Sequence, residues 1–350
     1  MRNLIVKYNV ALMLLVLSVL ALAGVNEEKR KSINKNFKVS ERTVLEVSNQ
    51  FGKIQMDTWS KPEIKVDVEI IVNGRNESRA QSLLDKIEIR IKESSSLISL
   101  ETDFDGNMNT KNEESFEVNY MISLPSENDI LVENKFGDIY IGERKGKSEV
   151  ELSYGNLKTE DFLGPLDLEL SFGTGTLGDL IDAEIEVKYG ELELNNARSL
   201  ELEQGFSEVD INQVENLELE SKYGDMEIES VDDLRCDVQF SGFSIGRVNK
   251  SLYMEANYVS DFEVDELSKD FEYFKFYGKF SSIELNLENG IKADLEVELS
   301  FARMNNSYDD MDIYYQDKED TRSEYKARIG GGSSDKKIIV QSSYGDLRIR

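Results

Sequence analysis

Between Val132 and Arg303 apolar and polar positions alternate in a short phrase that closes on an aromatic residue, and the phrase then starts again. The clearest copies are VENKFGDI (from Val132), VELSYGNL (Val150), LELSFGTG (Leu168), IEVKYGEL (Ile185), LEQGFSEV (Leu202) and LESKYGDM (Leu219). CDVQFSGF (Cys236), MEANYVSD (Met254), FYGKFSSI (Phe276) and VELSFARM (Val297) are looser copies. Consecutive copies begin 18, 18, 17, 17, 17, 17, 18, 22 and 21 residues apart. A short fixed period of this kind marks an array whose units bury their apolar faces only by stacking on one another.

With each coil numbered from its first apolar residue, strict alternation predicts that positions 1, 3 and 5 face inward and 2 and 4 face water. Position 5 is the aromatic one (Phe136, Tyr154, Phe172, Tyr189, Phe206, Tyr223, Phe240, Tyr258, Phe280, Phe301), and position 6 is mostly Gly or Ser, where the chain can bend. Positions 8 and 10 are apolar again, as in Leu192 and Leu194 or Val209 and Ile211, and positions 13 and 16 close the coil. No 3.6-residue period is sustained, so helix is excluded within a coil. The expected fold class is all-β, a parallel β-solenoid of 17–22-residue coils with a small N-terminal α+β cap, like residues stacked about 4.8 Å apart.

Position 2 is acidic in eight successive coils: Glu133, Glu151, Glu169, Glu186, Glu203, Glu220, Asp237 and Glu255. In-register stacking would line these up as one carboxylate ladder, either a solvated face or a collector of divalent cations such as calcium.

Taken in order, residues 1–23 read as a signal peptide, with Arg2 and Lys7 ahead of an apolar run and Ala21-Leu22-Ala23 as the cleavage site. The run falls short of the roughly 20 residues a bilayer core requires, which favours cleavage over anchoring. Export through the Sec pathway is the expectation, to periplasm, outer surface or medium. Residues 24–40 are polar and read as a flexible lead-in. Residues 41–131 hold a first coil phrase at Val47–Met56 and then the cap, with strands at Ile64–Val72, Ile87–Ile91, Leu97–Phe104 and Phe116–Leu124 and a helix over Asn76–Lys86. The array fills 132–304, an acidic inserted loop or hairpin 305–335, and a C-terminal capping coil 336–350.

A formal net charge of −28 argues against nucleic acid or an anionic lipid surface as partner. Cys236, the one cysteine, falls at an inward position 1 and reads as a small buried hydrophobe. With no histidine, the commonest general base and metal ligand is missing.

Three motifs need weighing. Gly173-Thr-Gly175-Thr-Leu-Gly178 has glycine spacing suited to a dinucleotide, but another coil follows where a helix N-terminus would have to hold the pyrophosphate. Asp103, Asp105, Asn107 and Glu114 fall at offsets resembling a calcium loop, with the glycine displaced and strands rather than helices on either side, so a polar hairpin loop competes with a calcium site. Asp309, Asp310, Asp312, Asp317, Glu319 and Asp320 form an acidic run that reads as a solvated loop.

Phe51-Gly52-Lys53-Ile54, Phe136-Gly137-Asp138-Ile139 and Tyr344-Gly345-Asp346-Leu347 resemble the β-strand repeats of a family of bacterial envelope proteins known as "putative adhesin", common in Bacteroidota and related to head-domain autotransporter adhesins. The resemblance runs from about Phe37 to Arg350, with Val259 and Ala302 departing at the small turn position. It implies a parallel β-solenoid and an exported location, and it carries over no catalytic residue. The functional expectation is a non-enzymatic adhesin or envelope scaffold whose partner is an envelope or surface protein or a glycan. Two alternatives stand beside it. One is a polysaccharide lyase or hydrolase on a β-helix, which would need loops walling a groove. The other is a periplasmic envelope-stress scaffold or sensor.

Overall fold

The computed structural model describes residues 27–111, 114–331 and 334–350, so the expected signal peptide lies outside the described residues. Most of the described chain is strand, joined into one long sheet that is parallel through the array and antiparallel at both ends.

Three consecutive strands, Glu191–Gly205, Glu208–Lys222 and Asp225–Gln239, show how a coil is made. Each is 15 residues long, and only Phe206-Ser207 and Tyr223-Gly224 separate them. They pair parallel and in register, Leu202 opposite Leu219 and Leu219 opposite Cys236. The same register links Val132, Val150, Leu168 and Ile185. Apolar residues at positions 1, 8, 10, 13 and 16 are buried, Leu202, Val209, Ile211, Val214 and Leu217 among them, so the period read from the sequence is the period of the core.

The N-terminal cap contains the helix Glu77–Leu84 among its strands. Asn76 caps it by accepting the Arg79 N–H, and Ala80, Leu83 and Leu84 turn inward. Arg144 fastens this cap to the array. It is fully buried and donates to the carbonyl oxygens of Pro125, at 2.9 Å, and Asn128. Burial pushes its guanidinium down to about 10.

Four expectations are corrected. The lead-in is a strand, because Glu27–Lys38 pairs antiparallel with Glu63–Gly74 along its full length. An edge strand needs few apolar anchors, here the buried Phe37 and the half-buried Ile33, so its polar composition hid it. Parallel pairing is not universal: Glu63–Gly74 against Ser115–Pro125 and Ile87–Glu93 against Leu97–Phe104 are antiparallel as well. The strand Lys337–Ser343 of the expected capping coil is no cap, since it lies between Tyr273–Lys279 and Ala293–Ser300, parallel to both. That end of the sheet is closed instead by the antiparallel strands Arg322–Ile329 and Met311–Lys318. The fourth correction concerns position 5.

Candidate functional site

The aromatic residues at position 5 do not face inward. From Phe136 to Phe301, and at Tyr344, they are 40–57% exposed. The reason is local. Phe51, the ten array aromatics and Tyr344 all adopt positive φ, between 52° and 61°, and they are the only non-glycine residues to do so among the described residues. One left-handed residue reverses the in–out parity of the strand, so the ring emerges at a corner where alternation would have buried it.

Left-handed backbone costs an ordinary residue roughly 1–2 kcal/mol. Stacking offsets this. Each ring lies on the next with centroids 4.7–5.1 Å apart and planes within 13° of parallel. An aromatic pair is worth about 0.5–1.5 kcal/mol beyond its buried area. Backbone bonds also cross the corners, for example Phe136 N–H to the Ser153 carbonyl and Tyr154 N–H to that of Ser171. Phe104 and Phe116 close the N-terminal end of the stack edge-on against Phe51.

Position 6 is small because corners stack backbone on backbone. A Cβ at Gly155 would lie 2.1 Å from the carbonyl oxygen of Gly137. Where serine stands here, at Ser207, Ser241 and Ser281, it turns inward and donates to the carbonyl two residues earlier. Val259 and Ala302 leave the corner unchanged, with Tyr258 at φ 57° and Phe301 at φ 52°.

The eight acids of position 2 are brought together as a column. Glu133, Glu151, Glu169, Glu186, Glu203, Glu220, Asp237 and Glu255 are successive register partners on an outward face. Beside them run Glu149, Asp167, Glu184, Glu201 and Glu218, also in register. Relief is uneven. Lys135 bonds Glu133 at 2.8 Å and holds its carboxyl below the usual range, and Lys188 and Lys222 pair with Glu186 and Glu220. Glu169 has Ser171 at the corresponding place; partial burial and the charges of Glu151 and Glu186 push its carboxyl up.

The calcium-loop residues are placed differently. Asp103 pairs with Arg90, and Glu114 accepts from both Nε and Nη2 of Arg79, so these two carboxylates already have a guanidinium. Lys86 reaches the carbonyl of Asn107. Among the described residues no three His, Cys, Asp or Glu side chains converge as a metal site would require. Cys236 is buried, and desolvation raises its thiol far above the ordinary range, as a core residue requires. Gly173 is a corner glycine followed by the strand Thr174–Leu177. The grooves on the acidic face are shallow; the one bounded by Glu201, Glu203, Glu220, Arg235 and Glu255 runs across coils. The exposed aromatic ladder is what sequence reasoning missed. The signal for it was the Gly or Ser after every aromatic, which marks a turn and therefore a change of parity.

No family model and no curated protein matches the chain. Solved structures do. A "putative cell adhesion protein" from Clostridium sporogenes and a "putative adhesin" from Parabacteroides distasonis each share 12% identity, with coverage of 93% of this chain and 98% of theirs, at TM-scores of 0.20 and 0.31. A "Putative lipid binding protein" from Parabacteroides distasonis shares 10% identity over 91% of this chain and 97% of its own, with a TM-score of 0.26. Superpositions this loose leave function to be argued from the residues.

Proposed function

We propose that the chain is a non-enzymatic adhesive or scaffolding protein of the bacterial envelope, a parallel β-solenoid that makes many weak, equivalent contacts with a polymer or partner strand. One observation carries the reading: a continuous ladder of twelve stacked, largely exposed aromatic rings. Catalysis gathers different groups around one reacting atom. This surface repeats one group at each step of about 4.8 Å, which suits avidity. Export with cleavage near Ala23 belongs to the same proposal.

The test is a binding screen of the purified chain against neutral and anionic glycans and envelope proteins, run beside an activity screen on the same glycans. Binding that weakens progressively as Tyr154, Tyr189 and Tyr223 are replaced one after another by Ser supports the proposal. Turnover abolished by a single Asp or Glu substitution would overturn it. Protease accessibility in intact cells then separates the outer surface from the periplasm.

A further inference from the structure

The pairing path of the sheet leads from Glu27–Lys38 at one end to Met311–Lys318 at the other. Among the described residues each of these strands pairs on one side only, with Glu63–Gly74 and Arg322–Ile329 respectively. Each leaves a row of backbone N–H and C=O groups open to strand addition, interrupted in Met311–Lys318 by a register shift between Ile313 and Tyr315.

The two edges carry opposite charge. Glu27–Lys38 holds five cations against two carboxylates, in a chain whose formal net charge is −28. Lys29 and Arg30 are engaged by Glu77 and Glu69, whereas Lys31, Lys35 and Lys38 lie outside any ion pair among the described residues. At the far end the strand Met311–Lys318 holds Asp312 and Asp317 against Lys318, with Asp309, Asp310, Glu319 and Asp320 flanking it, and the strand behind it carries Arg322, Lys326 and Arg328 against Glu324. The acidic strand exposes Ile313, Tyr314 and Tyr315, with Arg328 lying over one face of the Tyr314 ring and Lys326 over one face of the Tyr315 ring.

We propose that copies of this chain join head to tail, the basic strand Glu27–Lys38 of one copy adding beside the acidic strand Met311–Lys318 of the next. Charge on an edge strand protects it against its own kind. Here two basic edges repel and two acidic edges repel, but a basic edge and an acidic edge attract, so the protection fails for one pairing alone. Ile313, Tyr314 and Tyr315 would be covered at that joint. The other sheet edges offer less: Ile87–Glu93 is charge-balanced and Met304–Asn306 is three residues long. A joint between unlike ends does not close on itself unless its rotation forms a ring, so the product is an open filament. This assembly goes beyond the adhesive reading and stands or falls separately from it.

Sedimentation velocity and negative-stain microscopy of the purified chain without residues 1–23, across a concentration series up to the submillimolar range, test it. The expected result is an open-ended length distribution in steps of one chain. Lys31→Glu with Lys35→Glu should weaken assembly about tenfold or more, and so should Asp312→Lys with Asp317→Lys. Combining the four substitutions restores opposite charges at the joint and should restore filaments. Circular dichroism and the melting temperature confirm that each variant is folded. A wild-type chain that stays monomeric, assembly that stops at a dimer, or filaments indifferent to either pair of substitutions would each overturn the proposal.

Discussion

Tyr344 stacks on Phe280 with ring centroids 4.8 Å apart, although 64 residues separate them in sequence. Its other face meets Phe301, also at 4.8 Å and within 1° of parallel. The C-terminal strand has entered the array between two coils that are neighbours in sequence. The insertion preserves a pattern. Beyond the Phe51–Phe136 step, the rings in space run Phe136, Tyr154, Phe172, Tyr189, Phe206, Tyr223, Phe240, Tyr258, Phe280, Tyr344, Phe301, with phenylalanine and tyrosine alternating from Phe136 onward. In sequence order the alternation breaks at Phe280 and Phe301.

Tyr344 is therefore the place to separate ring stacking from backbone strain. Tyr344→Ala removes two stacked contacts, worth about 1–3 kcal/mol together, and leaves a β-carbon in left-handed backbone. Tyr344→Gly removes the same contacts and relieves the strain, so it should cost about 1 kcal/mol less than Ala. Tyr344→Phe should be nearly neutral. Urea unfolding of the three variants decides this; if Gly is as costly as Ala, the corner φ is not a source of strain.

The corner glycines make a second prediction. Gly155→Ala places a Cβ against the Gly137 carbonyl, a backbone atom with little freedom to move, and should cost about 2 kcal/mol or more. Gly106→Ala is the contrast, since nothing lies within 4 Å of its Cβ and only its φ of +73° penalises it. A melting-temperature loss at Gly155 no larger than at Gly106 would contradict the close stacking of corners.

Much of this was legible in the sequence because the repeat period is the register. Once Glu186 and Glu203 are 17 residues apart in equivalent phrases, stacking them requires nothing further, and they are register partners. Parity past the aromatic was not legible, because alternation assumes extended backbone and one left-handed residue breaks the count. The strand Glu27–Lys38 escaped because its partner, not its own pattern, makes it a strand. The position of Lys337–Ser343 escaped for a different reason. Its phrase Val340–Tyr344 fits against any coil, and the choice between Phe276 and a terminal site is a long-range competition with no local signal.

Acid titration should act in opposite directions on two members of the carboxylate column. The Glu169 carboxyl is raised above its ordinary 4.5, by partial burial first and then by Glu151 and Glu186. The folded state then holds this proton more tightly than the unfolded chain, so its contribution to stability is present at low pH and lost as pH rises through the raised value. Glu169→Gln should accordingly stabilise at pH 7, by no more than about 1 kcal/mol at a screened site, and the gain should vanish below the ordinary range. Glu133 is lowered by its hydrogen bond from Lys135, so its contribution is present above the ordinary 4.5 and lost as pH falls through the lowered value. Glu133→Gln should destabilise at pH 7. Denaturation midpoints at neutral and acid pH for both variants check the signs, and two shifts of the same sign would contradict the pairing.

Ligand count sets the expectation for calcium on the column. Calcium takes about six to eight oxygens, whereas the position-2 carboxylates are spaced about 4.8 Å apart along the column, and the second file from Glu149 to Glu218 runs beside them without bringing three acids to one point. Lys135, Lys188 and Lys222 compete for Glu133, Glu186 and Glu220, and among the described residues no three acidic groups converge. The dominant effect left is mutual repulsion, roughly 0.9 kcal/mol per neighbouring pair in water before screening. Calcium and a monovalent salt at matched ionic strength should then raise the melting temperature alike. Replacing Glu186, Glu203 and Glu220 together by Gln should raise stability in low salt, and less than three isolated carboxylates would suggest, because two of them also give up a lysine. A calcium-specific rise that this triple variant abolishes would show the ladder to be a cation site after all. A triple variant less stable than wild type in low salt would mean that the two lysine pairs outweigh the repulsion, and that the acidic face is held together by its cations.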